Sequence, residues 1–144
     1  MRVPDANVLI YAVNASSPQH GAAQTWIDES LAGAESVGFA WVVLLAFLRI
    51  TTRIGILPNP LAVGDALDVV DGWLAQPPAQ ILAPSTHHPE VLRSLLTQLG
   101  TGGNLTSDAH LAALAIEHGA VLWTFDGDFS RFPGVIVRCP PGAS

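Results

Sequence analysis

Apolar positions along the chain switch repeatedly between short extended runs and helical spacing. Met1 to Asp5 reads as a very short strand, with Pro4 an unusual residue for a central one because proline removes a ladder donor. A helix from Asn7 to Asn14 follows, and a second from Gly21 to Leu31 places Ala23, Trp26, Ile27 and Leu31 on one face. Val37 to Phe39 reads as an extended link. Trp41 to Ile54 is apolar all round apart from Arg49, Thr51, Thr52 and Arg53, the pattern of a buried helix. Asn59-Pro60 has the form of a helix start, with Ala66, Leu67, Val70, Trp73 and Leu74 at helical spacing behind it and Asp65, Asp68 and Asp71 on the other side.

Gln76-Pro77-Pro78 stops that helix, and Gln80 to Ala83 predicts a strand. His88-Pro89 opens a helix carrying Val91, Leu92, Leu95, Leu96 and Leu99, which Gly100 ends. The loop Thr101 to Asn104 leads to Thr106 or Ser107 as a cap. Asp108, Leu111, Ala112 and Ala115 then mark a helix face that runs up to Gly119. Val121 to Phe125 predicts a strand, Asp126-Gly127-Asp128 the turn at its C-terminal end, and Val135 to Arg138 a last strand. Strands alternating with helices indicate an α/β fold with a mostly parallel central sheet. No repeat or linker-like tract interrupts the 144 residues, so 1–144 is expected to be one domain.

Composition narrows the function. The chain is 49% hydrophobic and 12% charged, with twelve carboxylates against six basic residues, all arginine, for a net charge of −6. That balance excludes a protein held to nucleic acid by bulk charge, but not a nucleic-acid enzyme whose metal ions meet the phosphate. The lone Cys139 excludes a disulfide framework or a cysteine zinc cluster, and no apolar run reaches the length of a membrane span. With no signal-peptide pattern at the N-terminus, a cytoplasmic protein without a membrane role is expected. So many aliphatic residues with so few charges also predict a homodimer.

The informative carboxylates fall at strand ends, because open α/β sheets bind ligands outside the carboxyl ends of their strands. Asp5 follows the first strand, Asp126 and Asp128 follow Val121 to Phe125, and Asp108 lies in the first turn of the helix after the glycine loop. Each alone also suits a cap, a helix-dipole complement or a turn. Together they place several like charges in one small volume, which calls for a cation. Mg²⁺ or Mn²⁺ with oxygen ligands and retained waters suits metal-assisted phosphodiester hydrolysis by activated water.

The segment Asp5-Ala6-Asn7-Val8-Leu9-Ile10 resembles the opening motif of PIN domains. Ser107-Asp108-Ala109-His110-Leu111-Ala112-Ala113-Leu114-Ala115 resembles their D-A-x-x-A-A-x-A segment, and Thr124-Phe125-Asp126-Gly127-Asp128-Phe129 is similar to T-x-D-x-D-F. Trp41 to Arg49, with Asn59-Pro60, further resembles actinobacterial VapC-type toxins of type II toxin–antitoxin operons. The resemblance implies a three-layer α/β/α domain, a Mg²⁺- or Mn²⁺-dependent endoribonuclease, a homodimer, and a cognate VapB-like antitoxin. It assigns catalysis to Asp5, Asp108, Asp126 and Asp128, with Asp5, Asp108 and Asp126 on the metal. One departure stands out: PIN domains commonly carry a glutamate three residues before the arginine of the Trp41 helix, where this chain has Ala46 before Arg49. The competing reading is therefore a non-catalytic PIN-like module that binds RNA or protein.

Supporting roles are open for Arg49, which orients a carboxylate, meets a phosphate or merely stacks on an aromatic ring, and for Thr106 and Ser107, as caps or holders of metal-bound water. His87, His88 and His110 lack the spacing of a zinc site and read as loop or surface residues. Trp26, Trp41 and Trp73 read as core or dimer contacts. A haloacid-dehalogenase-like phosphatase is disfavoured because only 16 residues follow Asp128, and a receiver-like phosphoacceptor because the chain has no lysine. A sequence-selective ribonuclease of this kind is expected to read a single-stranded RNA loop, since A-form helices hide their base edges.

Overall fold

The computed structural model describes residues 1–142, with the backbone alone at position 104; residues 143 and 144 of the expected domain lie outside it. Five parallel strands form one sheet in the order β3-β2-β1-β4-β5. They are β1 (Arg2–Pro4), β2 (Val37–Ala40), β3 (Ala79–Leu82), β4 (Val121–Trp123) and β5 (Ile136–Arg138). Six helices flank the sheet in a three-layer α/β/α arrangement: α1 (Ala6–Val13), α2 (His20–Ala32), α3 (Trp41–Thr52), α4 (Val63–Leu74), α5 (His88–Leu99) and α6 (Thr106–Glu117). The sheet is parallel throughout, so the α/β reading holds and its "mostly" was too cautious.

Pro4 does lie in the central strand, and the pairing explains why it is tolerated. Strand β1 pairs with β2 only at Arg2↔Val37, but with β4 at three successive positions. Backbone N–H groups alternate sides along a strand: Arg2 N–H donates to Ser36 on the β2 side, and Asp5 N–H to Trp123 on the β4 side. Position 4 therefore faces β2, so its missing donor ends that ladder after Arg2↔Val37, and the three pairs with β4 carry the strand.

The expected link Val37 to Phe39 is in fact β2, a strand buried at all four positions. Its three-residue apolar core was too short to show a period, yet a strand covered on both faces needs no alternation. Gly38 is required by its neighbour: a Cβ there would stand 2.8–2.9 Å from the branched end of Leu82 on β3. Gly38→Ala should therefore destabilise the protein by about 1–3 kcal/mol through overpacking, measured by urea unfolding.

Two further expectations change. Helix α4 starts at Val63, capped by Ala62 without a side-chain bond, and not at Asn59-Pro60. Leu61 N–H is instead taken by the Thr51 carbonyl at 2.8 Å, which holds the segment extended against the end of α3. Helix α3 is apolar all round but not buried all round. Val43, Leu44, Phe47 and Thr51 are buried, whereas Trp41 and Leu45 are 50% and 57% exposed. The core beneath includes Phe39 and Phe47 packed on Trp73, and Trp26 against Trp123. Gly100 closes α5 in the left-handed conformation, as its position predicts. No helix of the described residues is long and apolar enough to cross a membrane.

Candidate active site

In the order β3-β2-β1-β4-β5 the chain winds outward in opposite directions from β1 and β4, so the crevice at their carboxyl ends is the topological switch point. Asp5 leaves β1 there and caps α1, accepting Ala6 N–H on Oδ1 at 2.7 Å. Its Oδ2 accepts the Thr124 hydroxyl at 2.8 Å. The same hydroxyl oxygen accepts Asn7 Nδ2 and Asp126 N–H, both at 3.0 Å, so its one proton and two lone pairs are all used. Asn7 Oδ1 in turn accepts Phe125 N–H at 3.2 Å. These captures end β4 at Trp123, two residues before the expected Phe125, because side chains take the N–H groups that would extend the ladder.

A cleft of about 160 Å³ opens beside Asp5. Its other walls are Asp108, Ser107 and Leu111 of α6, and Val42, Ala46 and Arg49 of α3. Asp5 and Asp108 therefore share it, as expected. Asp126 stands close enough for its charge to act on both, while Asp128 acts on Asp108 alone. Asp128 is largely exposed and paired with Arg131 at 2.9 Å, which places it at the rim. Arg49 is an exposed wall residue one helical turn from Ala46, and neither of its expected partners, a carboxylate or an aromatic ring, holds it among the described residues. Thr106 and Ser107 do not cap α6; Leu105 occupies the cap position without a side-chain bond, and Thr106 and Ser107 are the first helical residues.

The electrostatics fit a cation. Burial pushes the Asp5 carboxyl above its ordinary value of 3.8, against the hydrogen bonds from Thr124 and Ala6, and the charges of Asp108 and Asp126 push it further. Burial likewise raises Asp108, with Asp126 and Asp128 adding and Arg131 opposing. Among the described residues no three acidic or histidine side chains close into a complete grip on one ion. Mg²⁺ or Mn²⁺ matches such an open, all-oxygen donor set, because Mg²⁺ usually takes one or two carboxylates and keeps its waters.

Asn7 and Thr124 are the residues of this hydrogen-bond network that sequence reasoning passed over. Both sit inside the quoted motifs, but only the fold shows that they join α1 to the end of β4. The histidines were also misread in part. His87 is exposed, yet His88 is buried and bonded to both Glu117 and His110.

Residues 2–135 match the PIN domain family model. The chain is 50% identical to ribonuclease VapC37 of Mycobacterium tuberculosis, over 98% of each chain. It is 39% identical to ribonuclease VapC33 of the same organism, over 92% of each. Its fold is similar to that of the Rickettsia felis VapBC2 structure solved with a promoter DNA fragment, at a TM-score of 0.71 and 20% identity over 96% of this chain and 97% of that one. A second likeness is to Mycobacterium tuberculosis VapC20, described as a sarcin–ricin loop cleaving toxin, with TM-score 0.67 and 19% identity over 94% and 99% of the two chains. With its acids gathered at the switch point and most of its length aligned with these relatives, this chain belongs to the PIN domain family, among the VapC-type ribonucleases.

Proposed function

We propose that this protein is the endoribonuclease toxin of a type II toxin–antitoxin pair, that it depends on Mg²⁺ or Mn²⁺, and that Asp5 and Asp108 are its principal metal ligands. The observation that carries this reading is the shared cleft: two carboxylates raised by burial and by neighbouring acids at the crevice where α/β sheets bind ligands. A bound divalent ion would neutralise these charges, polarise the phosphodiester and acidify an attacking water. Asp126 donates its backbone N–H to the Thr124 hydroxyl that holds Asp5 and acts on Asp108 through its charge, and Asp128 shapes the rim. Arg49, on the α3 wall and without a salt-bridge partner among the described residues, is placed to meet a phosphate oxygen of the RNA. Hydrolysis then proceeds in line, without a covalent enzyme intermediate.

The relatives supply the setting. Solved VapBC complexes pair a toxin of this fold with a VapB antitoxin, and a VapB-like partner is proposed for this chain as well. An unpaired loop of a structured RNA is the proposed substrate, in a cytoplasmic, single-domain protein. Homodimerisation is proposed through the apolar face left by Trp41, Leu45 and Ile54. The second reading, a binding module that does not cut, draws on Ala46, which leaves the α3 wall of the cleft without an oxygen ligand.

One assay separates the two: incubation of the purified protein with total RNA in Mn²⁺ or Mg²⁺, with and without EDTA. Cleavage abolished by EDTA is expected, and Arg49→Ala should lower kcat/KM about tenfold, the size of one charged hydrogen bond. RNA binding without cleavage at millimolar metal would select the non-cutting module.

A further inference from the structure

Helix α6 carries a second cluster on the face turned away from the acid cleft. Residues two apart on a helix are rotated by roughly 200°, so His110 points away from Asp108, whereas residues seven apart nearly coincide, so His110 and Glu117 share a face. His88, at the start of α5, reaches between them. Its Nδ1 is bonded to Glu117 Oε2, and its Nε2 stands 2.9 Å from His110 Nδ1. The other Glu117 oxygen accepts Ser85 N–H at 2.9 Å and the Ser85 hydroxyl at 2.7 Å. The Glu117 side chain is 1% exposed, and that of His88 11%.

Glu117 orients the His88 ring. Burial opposes ionisation of Glu117, but the hydrogen bonds from Ser85 and His88 outweigh it and hold the carboxyl below its ordinary range. Glu117 is thus an acceptor, and the His88 proton lies on Nδ1. His88 Nε2 faces the Nδ1 of His110, which is half-buried and open to solvent. A histidine whose far nitrogen donates to a buried, hydrogen-bonded carboxylate is the usual support of a metal-ligating imidazole.

We propose that His88 Nε2 and His110 Nδ1 form a site for a borderline transition-metal ion, Zn²⁺ being the representative case, with water in the remaining positions and Glu117 and Ser85 holding His88 in place. Two tetrahedral ligands at about 2.0–2.1 Å from zinc stand about 3.3–3.4 Å apart, so the histidines need to part by a few tenths of an ångström and turn both nitrogens toward one point off the line between them. Nitrogen donors separate this site from the all-oxygen cleft, which suits Mg²⁺ and Mn²⁺. The ion would pin α5 to the helix that bears Asp108. The site is independent of whether the cleft cuts RNA.

The test is calorimetric titration of the full chain with ZnCl₂ at neutral pH in excess Mg²⁺, which keeps the acid cleft filled. One equivalent of zinc should bind, with the same affinity in Asp108→Asn and at least tenfold weaker in His110→Ala. Because His88 is buried and its replacement risks the fold, the half-exposed His110 is the decisive variant. Zinc-edge X-ray absorption should show imidazole ligands, and zinc should raise Tm in the wild type but not in His110→Ala. Binding that Asp108→Asn removes, binding that His110→Ala leaves unchanged, or no binding at millimolar zinc would each overturn the proposal and leave the two imidazoles as a hydrogen-bonded pair.

Discussion

Asp108→Asn is expected to reduce metal-dependent RNA cleavage by about 100-fold or more while raising the stability of the metal-free protein. The loss follows from the proposed role: replacing a supporting residue of a metal site commonly costs about 10–100-fold, and a direct ligand costs more. The gain follows from electrostatics. Burial and the neighbouring acids raise the Asp108 carboxyl above 3.8, so the folded state holds its proton at a pH where the unfolded chain has lost it. Stability from this group therefore falls as pH rises from the ordinary carboxylate value through the raised one. At neutral pH the ionised wild type is penalised and the amide is not. Thermal unfolding in EDTA should show the variant melting above the wild type at pH 7, with the gap closing as pH falls through the raised value. Adding Mn²⁺ should reverse the order, because only the wild type gains a bound ion. A variant that melts lower than wild type in EDTA and still cleaves RNA would remove Asp108 from the site.

The second large effect is expected from Thr124→Val, a change of nearly equal volume. It deletes the hydroxyl that donates to Asp5 and accepts from Asn7 and Asp126. Thr124 is 2% exposed, so water has little access to replace it. Stranding a buried donor or acceptor costs about 1–3 kcal/mol, and at least two groups lose their partner, so a destabilisation of about 2–4 kcal/mol is expected in urea unfolding. Cleavage should fall about 10–100-fold through misorientation of Asp5 and Asp126, with weaker Mn²⁺ binding in calorimetry. Thr124→Ser keeps the hydroxyl and should restore metal affinity even if the lost methyl costs some stability. If Val binds Mn²⁺ as tightly as wild type, the hydroxyl only supports the fold.

Legibility in the sequence followed the range over which each signal acts. Gly100 and the proline pair Pro77-Pro78 mark helix ends through local backbone geometry, and those ends lie where expected. Asn59-Pro60 has an equally local form, but the Thr51 carbonyl captures Leu61 and the helix begins at Val63. That carbonyl belongs to another helix, and only the folding back of the chain between them brings it to Leu61. Helix α3 shows the converse limit. With apolar residues on every side, its sequence carries no direction, and only packing against α1, α4 and β2 decides that Phe47 is buried while Leu45 is not.

The candidate site divides in the same way. Asp5, Asp108, Asp126 and Asp128 were visible because acids at strand ends and in a first helical turn are positions that secondary structure alone can locate. The roles of Asn7 and Thr124 were not, since a hydrogen bond between residues 117 positions apart depends on β1 and β4 being neighbours. His88, Glu117 and His110 lie on two helices whose pairing brings them together, so their spacing along the chain resembles nothing.

The order of strands and helices, the positions of the acids and the absence of lysine and of paired cysteines are properties of the sequence by itself, because periodicity, turn chemistry and composition act over a few residues. The parallel order β3-β2-β1-β4-β5, the end of the β1–β2 ladder at Pro4, the cleft shared by Asp5 and Asp108, and the meeting of His88 with His110 were decided only in the tertiary structure. Each of these requires distant segments to meet, and the free energy that selects the meeting comes from desolvation and packing between them, which no local stretch of sequence contains.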